Sequence, residues 1–159
     1  MIRYNLEIFY LKIKIYEHNR KYNIVLLINI LLIRFYRRLI VRFKITIDDN
    51  EFHANMLDYD LVNQIAEMCP FESNFKSFHG HEYFTKLPSP ADDEGCPLTD
   101  KLHANKLYYH KKWNALFITF KDEEVANYKI VHIGDFEEDA SEYLKDCGRN
   151  VHVICEIAD

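Results

Sequence analysis

The sequence predicts a mainly β, barrel-like domain of about eight short strands with one or two short helices. Residues 41–48 alternate strictly between apolar and polar side chains, which is the period of a half-buried strand. Residues 113–135 contain two apolar, β-prone runs separated by the charged segment from Lys121 to Glu124. The chain of 159 residues has 14% aromatic residues but only four glycines and four prolines, which is typical of one ordered globular domain.

Residues 1–44 differ from the rest of the chain in charge and in residue types. They carry ten lysines and arginines against two glutamates, whereas residues 45–159 carry ten against 23 acidic residues. They also contain no Gly, Pro, Ala, Ser, Thr, Asp, Gln, Cys or Trp. This change predicts a basic and apolar N-terminal extension, residues 1–40, followed by a folded domain, residues 41–159.

Two interpretations of the extension remain open. The first is low-complexity sequence that a wrongly chosen start codon adds to the domain. The second is a helix that lies in the plane of a membrane and makes peripheral contact through residues 23–43. The apolar run of the extension, residues 24–33, is ten residues long, whereas a membrane span needs about twenty. No nucleic-acid partner is predicted, because isoleucine and leucine outnumber the basic residues.

The first half of the domain predicts a hairpin, a helix and two more strands. Asp48 to Asn50 turn the chain, so residues 51–56 return beside the opening strand. A short helix follows, capped by Asp58 or Asp60 and ended before Pro70. Its apolar face would hold Leu61, Val62, Ile65 and Met68. Residues 71–87 then predict two strands on either side of Gly80.

The second half predicts a long loop, the central strands, a second helix and a last strand. Residues 88–105 hold three prolines and an acidic cluster, which indicates an irregular loop. Residues 107–109 re-enter the sheet, and the two central strands follow, the second of them broken at Gly134. The second helix would turn Phe136, Ala140, Tyr143 and Leu144 inward and end at Gly148 in the left-handed conformation. Val151, Val153, Cys155 and Ile157 alternate as a last strand.

The polar residues predict neither a metal site nor a catalytic nucleophile. The four cysteines contain no C-x-x-C pair and indicate reduced thiols, so we expect a cytoplasmic protein, with membrane association through residues 23–43 as the alternative. His79 and His81 have the spacing to share one face of a strand, yet no third metal ligand follows. No serine lies in a nucleophile motif. We therefore predict no metal, no cofactor and no catalytic residues.

Four segments in order resemble a known family. They are H-E-Y-F-T-K-L-P at 81–88, N-K-L-Y-Y at 105–109, W-N-A-L-F-I-T-F at 113–120 and K-I-V-H-I-G-D at 129–135. Together they resemble the small cyclophilin-like domain proteins found mainly in bacteria and archaea, which pair E-K-Y-x-x-L-P with G-D-L-x-Y-Y and later L-G-x-I. The resemblance extends over residues 41–158 and implies a closed eight-stranded barrel capped by helices.

The resemblance does not imply prolyl isomerase activity. Isomerases of this fold use an F-H-R segment, and the nearest match here is Phe78-His79-Gly80, which lacks the arginine. The prediction is therefore a non-enzymatic binding module that holds a small molecule or an extended peptide on the barrel face. Its binding residues are predicted to be Tyr83, Tyr108, Trp113 and Asn114, although Tyr108 can equally be a core residue. The alternative is an enzyme, either a weak isomerase or one that uses His79 or His81 as acid or base.

Overall fold

A computed structural model describes residues 41–158 of the chain. The predicted extension, residues 1–40, lies outside the described residues, so its predicted membrane contact stays a prediction. Asp159 is also outside them. None of the helices within residues 41–158 is long and apolar enough to cross a membrane.

The described residues form a closed antiparallel β-barrel. The eleven strands of this region are β1 Arg42–Ile47, β2 Asn50–Met56, β3 Phe71–Phe78, β4 Glu82–Lys86, β5 Leu98–Thr99, β6 Lys101–Leu102, β7 Lys106–His110, β8 Ala115–Thr119, β9 Glu123–Glu124, β10 Ile130–Phe136 and β11 Asn150–Ile157. Eight of them close the barrel in the order β2-β1-β11-β3-β4-β8-β7-β10, because β10 pairs again with β2. The predicted eight-stranded barrel is confirmed.

The barrel interior is a single apolar core built by alternation along the strands. Phe43, Ile45 and Ile47 of β1 are completely buried, which confirms the alternation predicted for the opening strand. In β11, Val151, Val153 and Cys155 face the same core, whereas Ile157 is exposed at the end of the strand. Each such buried aliphatic side chain stabilises the fold by about 1.5 to 3 kcal/mol relative to an exposed one.

The first helix, α1 Asp60–Ala66, lies where it is predicted, but neither Asp58 nor Asp60 is its N-cap residue. The residue before it is Tyr59, whose side chain makes no capping hydrogen bond, and Asp60 is instead the first helical residue. The aspartate there faces the positive end of the helix dipole, which is a favourable position without a cap. Leu61, Val62 and Ile65 of the predicted apolar face are buried in the helix. Met68, the fourth residue of that face, lies half-buried just beyond the end of the helix.

The second helix, α2 Ala140–Lys145, begins at a side-chain cap that the sequence reading missed. The Asp139 carboxylate accepts hydrogen bonds from the backbone N–H groups of Ser141 and Glu142. The prediction that Gly148 ends this helix in the left-handed conformation is wrong. Among the described glycines only Gly80 and Gly95 have positive φ.

The central stretch forms two strands, but they are not neighbours. β7 lies between β8 and β10, pairing Tyr108 with Phe117 on one side and with His132 on the other. Gly134 does not end the second strand as predicted, since β10 continues through it to Phe136. A Cβ at Gly134 would lie 2.6 Å from Met56 Sδ, so glycine is needed there for the close approach of β10 to β2.

The predicted irregular loop, residues 88–105, contains two short strands. β5 extends the sheet beside β10, while β6 pairs with β9 in a separate two-stranded ribbon. This ribbon lies within the segments that the sequence predicted as a loop and a charged turn. It brings Leu102 and Val125 together over the outer face of the barrel wall.

Candidate functional site

A second apolar cluster packs on the outside of the barrel wall and contains the candidate site. We call it the outer cluster; its buried members are Leu102, Tyr108, Ala115, Phe117, Val125 and Ile130, and its half-buried members are Phe78, Phe84, Trp113 and Tyr128. Because successive side chains of a strand point to opposite faces, β7 and β8 supply residues to both the barrel core and this cluster. The outer cluster is therefore a direct product of strand alternation.

Strand register aligns three aromatic rings in a row across the wall. Phe84 of β4 pairs with Phe117 of β8, and Phe117 pairs in turn with Tyr108 of β7. The Phe84 and Phe117 rings are stacked with centroids 5.6 Å apart. Such cross-strand pairs stabilise a sheet, and they also provide a flat aromatic floor.

Trp113 stands at the edge of this floor, on a short 3-10 turn, η1 Lys111–Trp113. The turn is closed by its neighbours: the Trp113 backbone N–H donates to His110 Nδ1 over 3.1 Å, and Asn114 adopts a left-handed conformation with φ of 48°. The indole lies 4.3 Å from the His110 ring and 5.1 Å from the Tyr128 ring, between centroids. Burial lowers the pKa of His110, with Lys112 acting in the same direction, so the imidazole is neutral near pH 7.

Glu82 is the buried acid of the site. Its side chain is 0% exposed, and the Tyr128 hydroxyl donates to its Oε1 over 3.0 Å. Burial raises the pKa of Glu82 to about 7, although the hydrogen bond from Tyr128 lowers it. A carboxyl with this pKa changes its charge near neutral pH, as general acids and bases do.

His81 precedes Glu82 and is buried beside it. Its Nε2 lies 3.6 Å from Glu82 Oε1, too far for a hydrogen bond. Burial lowers the pKa of His81, which leaves the ring neutral near pH 7. The His79 and His81 rings are stacked with centroids 6.1 Å apart. In the described residues, no three His, Cys, Asp or Glu side chains are arranged to hold a metal ion.

The four predicted binding residues do not all lie together. Tyr108 and Trp113 are both in the outer cluster, Tyr108 fully buried and Trp113 half-buried. Tyr83 points to the opposite face, into the barrel core, where its hydroxyl donates to the carbonyl oxygen of Gly148 over 2.6 Å. Their role in binding stays a prediction.

Asn114, the fourth predicted residue, uses its side chain to hold the neighbouring loop. Its amide nitrogen donates to the carbonyl oxygens of Leu87 and Ser89, at 3.3 and 3.1 Å. Its carbonyl oxygen accepts from the Tyr109 hydroxyl over 3.0 Å, and the same hydroxyl lies 2.8 Å from the carbonyl oxygen of Ala91. Asn114 therefore joins the start of the 88–105 loop to the turn that carries Trp113.

Glu82, His110 and Tyr128 are not among the site residues predicted from the sequence. A local signal existed for Glu82, because it alternates with Tyr83 and must share the outer face with Phe84. Tyr128 follows the charged segment by only a few residues, and nothing local indicates that its hydroxyl reaches β4. That contact depends on the path of residues 121–129 across the wall.

Comparison with known proteins identifies the fold and the family. Among solved structures, a hypothetical protein from Archaeoglobus fulgidus, determined in solution, is similar with a TM-score of 0.60 and 16% sequence identity; the match covers 76% of this chain and 96% of that one. At this identity the likeness concerns the fold alone. No curated protein matches the chain. The sequence model described as the Cyclophilin-like family matches residues 45–156, and the chain therefore belongs to the Cyclophilin-like family.

Proposed function

We propose that this protein is a non-enzymatic binding module that holds a small molecule or an extended peptide against the outer cluster, at the edge formed by Trp113 and Tyr128. The observation that supports the proposal most is the half-buried state of these two rings beside the buried rings of Tyr108 and Phe117. A Trp or Tyr ring that is partly exposed to solvent offers apolar contact area to a ligand at little cost in conformational entropy, as in many binding sites.

Polar groups beside the rings also favour binding over a purely structural role. Glu82 contacts Tyr128 and His110 contacts Trp113, while His81 lies beside Glu82, and all three are buried. A few polar groups among aromatic side chains are typical of ligand sites. A cluster that served only to cover the wall would need no buried carboxyl. Since a buried carboxyl without a charged partner destabilises the fold, its presence here supports a use in binding.

Trp113 provides the experiment, because it is the only tryptophan of the chain. The full-length protein would be titrated with a library of small molecules and short extended peptides while Trp113 emission and iodide quenching are recorded. A ligand at this edge should shift the emission and protect the indole from iodide. Emission that is strongly blue-shifted and insensitive to iodide in the free protein would place the ring in the core and contradict the proposal.

A matched variant tests whether the effect depends on the site. Trp113→Ala should abolish binding of any ligand found, with binding then followed by calorimetry. Tyr143→Ala removes another half-buried aromatic ring, which packs beside Phe52 in the main core at 6.0 Å between centroids. That variant should bind normally, and equal loss in both variants would show that the effect is one of stability.

One observation favours the second class, an enzyme. The pKa of Glu82 is raised to about 7 and His81 is neutral beside it, so the two could exchange a proton with a bound molecule. Turnover of a ligand found by the titration, lost in Glu82→Gln while binding is retained, would move the protein into this class.

A further inference from the structure

Two buried polar atoms beside the outer cluster have no hydrogen-bond partner among residues 41–158. They are His81 Nε2 and Glu82 Oε2, on side chains that are 5% and 0% exposed. A buried polar atom without a partner costs about 1 to 3 kcal/mol, and native structures hold few of them. Two adjacent ones, on consecutive residues, indicate a place that a ligand completes.

Glu82 also lacks a cation within the described residues. Tyr128 donates to its Oε1, and His81, whose Nε2 lies 3.6 Å from that oxygen, is neutral near pH 7. The other charged and titratable groups that act on this pair are Glu123, Lys121 and His79, and their effects are on His81 or Tyr128 rather than on Glu82. A positive group brought by a ligand would therefore find the carboxylate available.

The surroundings favour a flat cation in particular. The Tyr128 ring, whose hydroxyl donates to Glu82, lies 5.1 Å from the Trp113 ring between centroids, and guanidinium groups stack on such faces as well as pairing with carboxylates. The segment that carries Tyr128 also exposes three acids, Asp122, Glu123 and Glu124, against Lys121 and Lys129. This local excess of negative charge attracts cations.

We propose that Glu82 and His81 form a site for a guanidinium or amidinium group, which donates one N–H to Glu82 Oε2 and another to His81 Nε2. The proposal rests on the proposed function and names the chemistry of its ligand. The neutral imidazole accepts at Nε2 in the tautomer that carries its proton on Nδ1. Two parallel N–H donors on one plane suit two acceptors on consecutive residues, and His81 Nε2 lies 3.6 Å from Oε1 of the same carboxyl group.

Binding changes the charge of Glu82 and moves one ring. The carboxyl releases its proton to solvent when the cation arrives, so affinity should rise with pH up to about 7, the pKa of Glu82. His81 keeps its neutral form throughout. The Tyr128 ring, which is half-buried over Glu82, must turn aside to admit the ligand, and this should change the emission of the neighbouring Trp113.

Benzamidine is the test probe, with benzamide as its neutral counterpart of the same shape. Calorimetry on the full-length protein should show that benzamidine binds and benzamide does not. Binding heat should depend on the ionisation enthalpy of the buffer, because a proton is released; this measurement needs no variant. Glu82→Gln should weaken benzamidine binding at least about tenfold. Glu72→Gln, at an exposed position on β3, is the matched control and should bind like the wild type.

A second pair of probes separates the two sources of the cation. An extended tripeptide with a central arginine, compared with the same peptide carrying citrulline, tests an arginine side chain. Tighter binding of the arginine peptide than of benzamidine would assign a peptide ligand, and the reverse a small molecule; both support the proposal. Binding that is equal for charged and neutral probes, or equal in Glu82→Gln and wild type, would overturn it. A different ligand that requires Trp113 but not Glu82 would overturn this inference alone and leave the proposed function intact.

Discussion

Ile118 and Phe117 are adjacent in β8, yet their side chains pack in different cores. Ile118 belongs to the barrel core, and Phe117 belongs to the outer cluster on the other face of the wall. Both are completely buried. Phe117 and Ile118 are thus equally shielded from solvent, and solvent reaches the outer cluster at its half-buried members, which are Phe78, Phe84, Trp113 and Tyr128.

Truncation of these side chains should separate the core from the edge. Ile118→Ala and Phe117→Ala should each lower the free energy of unfolding by about 2 to 5 kcal/mol, since both leave a cavity in a buried region. Trp113→Ala should cost less than the ~3 to 5 kcal/mol typical of a fully buried aromatic. Urea unfolding followed by circular dichroism measures all three. A cost at Trp113 equal to that at Phe117 would contradict the assignment of the indole to an edge.

Gly134→Ala should destabilise the barrel where it closes. The added methyl group would meet Met56 Sδ at 2.6 Å, so the Met56 side chain would have to move, and it would press on the Asn55 carbonyl oxygen of β2 at 3.0 Å. We expect a loss of about 1 to 3 kcal/mol, as for other overpacked sites. In a Met56→Ala background the loss should be smaller, because the sulfur is gone. Thermal melts of the wild type, Gly134→Ala, Met56→Ala and the double variant give the coupling free energy between the two positions. Losses of stability that simply add in the double variant would contradict the contact.

The local sequence pattern predicts the strands of the barrel, but it does not predict the β6–β9 ribbon on the outer face of the barrel wall. The structure confirms the alternation at Phe43, Ile45 and Ile47 and the turn at Asp48. These features could be predicted because they depend only on residues that are close in sequence. The ribbon of β6 and β9 pairs Leu102 with Glu123, two residues from segments of low apolar content. Such short, long-range pairing leaves no period in the sequence.

The candidate site shows the same division. Trp113, predicted as a binding residue, is half-buried at the edge of the outer cluster. Tyr83, another predicted binding residue, lies on the opposite face of the wall, because alternation along β4 turns Tyr83 inward and Glu82 outward. The hydrogen bond from Tyr128 to Glu82 joins positions 46 residues apart. No local pattern could predict it, because it depends on the path of residues 121–129 across the barrel wall.

Removal of residues 1–39 should leave the barrel stable. Strand β1 begins at Arg42, and the Met56 backbone N–H donates to the carbonyl oxygen of Val41 over 2.9 Å, so a chain that starts at residue 40 keeps the first hydrogen bonds of the sheet. We expect cooperative melting close to the temperature of the full-length protein, measured by calorimetry. A loss of more than a few kcal/mol would show that the domain boundary is misplaced, since total stabilities are only about 5 to 15 kcal/mol.

Prolyl isomerase activity should be absent. A guanidinium beside the prolyl amide stabilises the twisted bond, and Phe78-His79-Gly80 has no arginine at its third position. The two arginines of the described residues are placed elsewhere: Arg42 forms a bidentate pair with Glu137, and Arg149 is exposed before β11. A protease-coupled peptide assay should give the uncatalysed rate. Robust catalysis that survives Arg149→Ala and Arg42→Ala would refute both the prediction and its reason.

Glu82 should make stability fall as pH rises toward 8. Burial raises its pKa from 4.5 to about 7, so between these values the folded protein binds the proton that the unfolded chain has lost. The resulting stabilisation, on the order of 3 kcal/mol, is present at low pH and lost as pH rises through 7. His81 and His110, whose pKa values are lowered, act in the opposite direction below pH 6.5, so the measurement is the difference from Glu82→Gln. Urea unfolding from pH 5 to 8 measures the free energy of unfolding of both proteins. Relative to the wild type, that of Glu82→Gln should rise by this amount over the range. A difference that does not change with pH would mean that Glu82 is charged and solvated throughout.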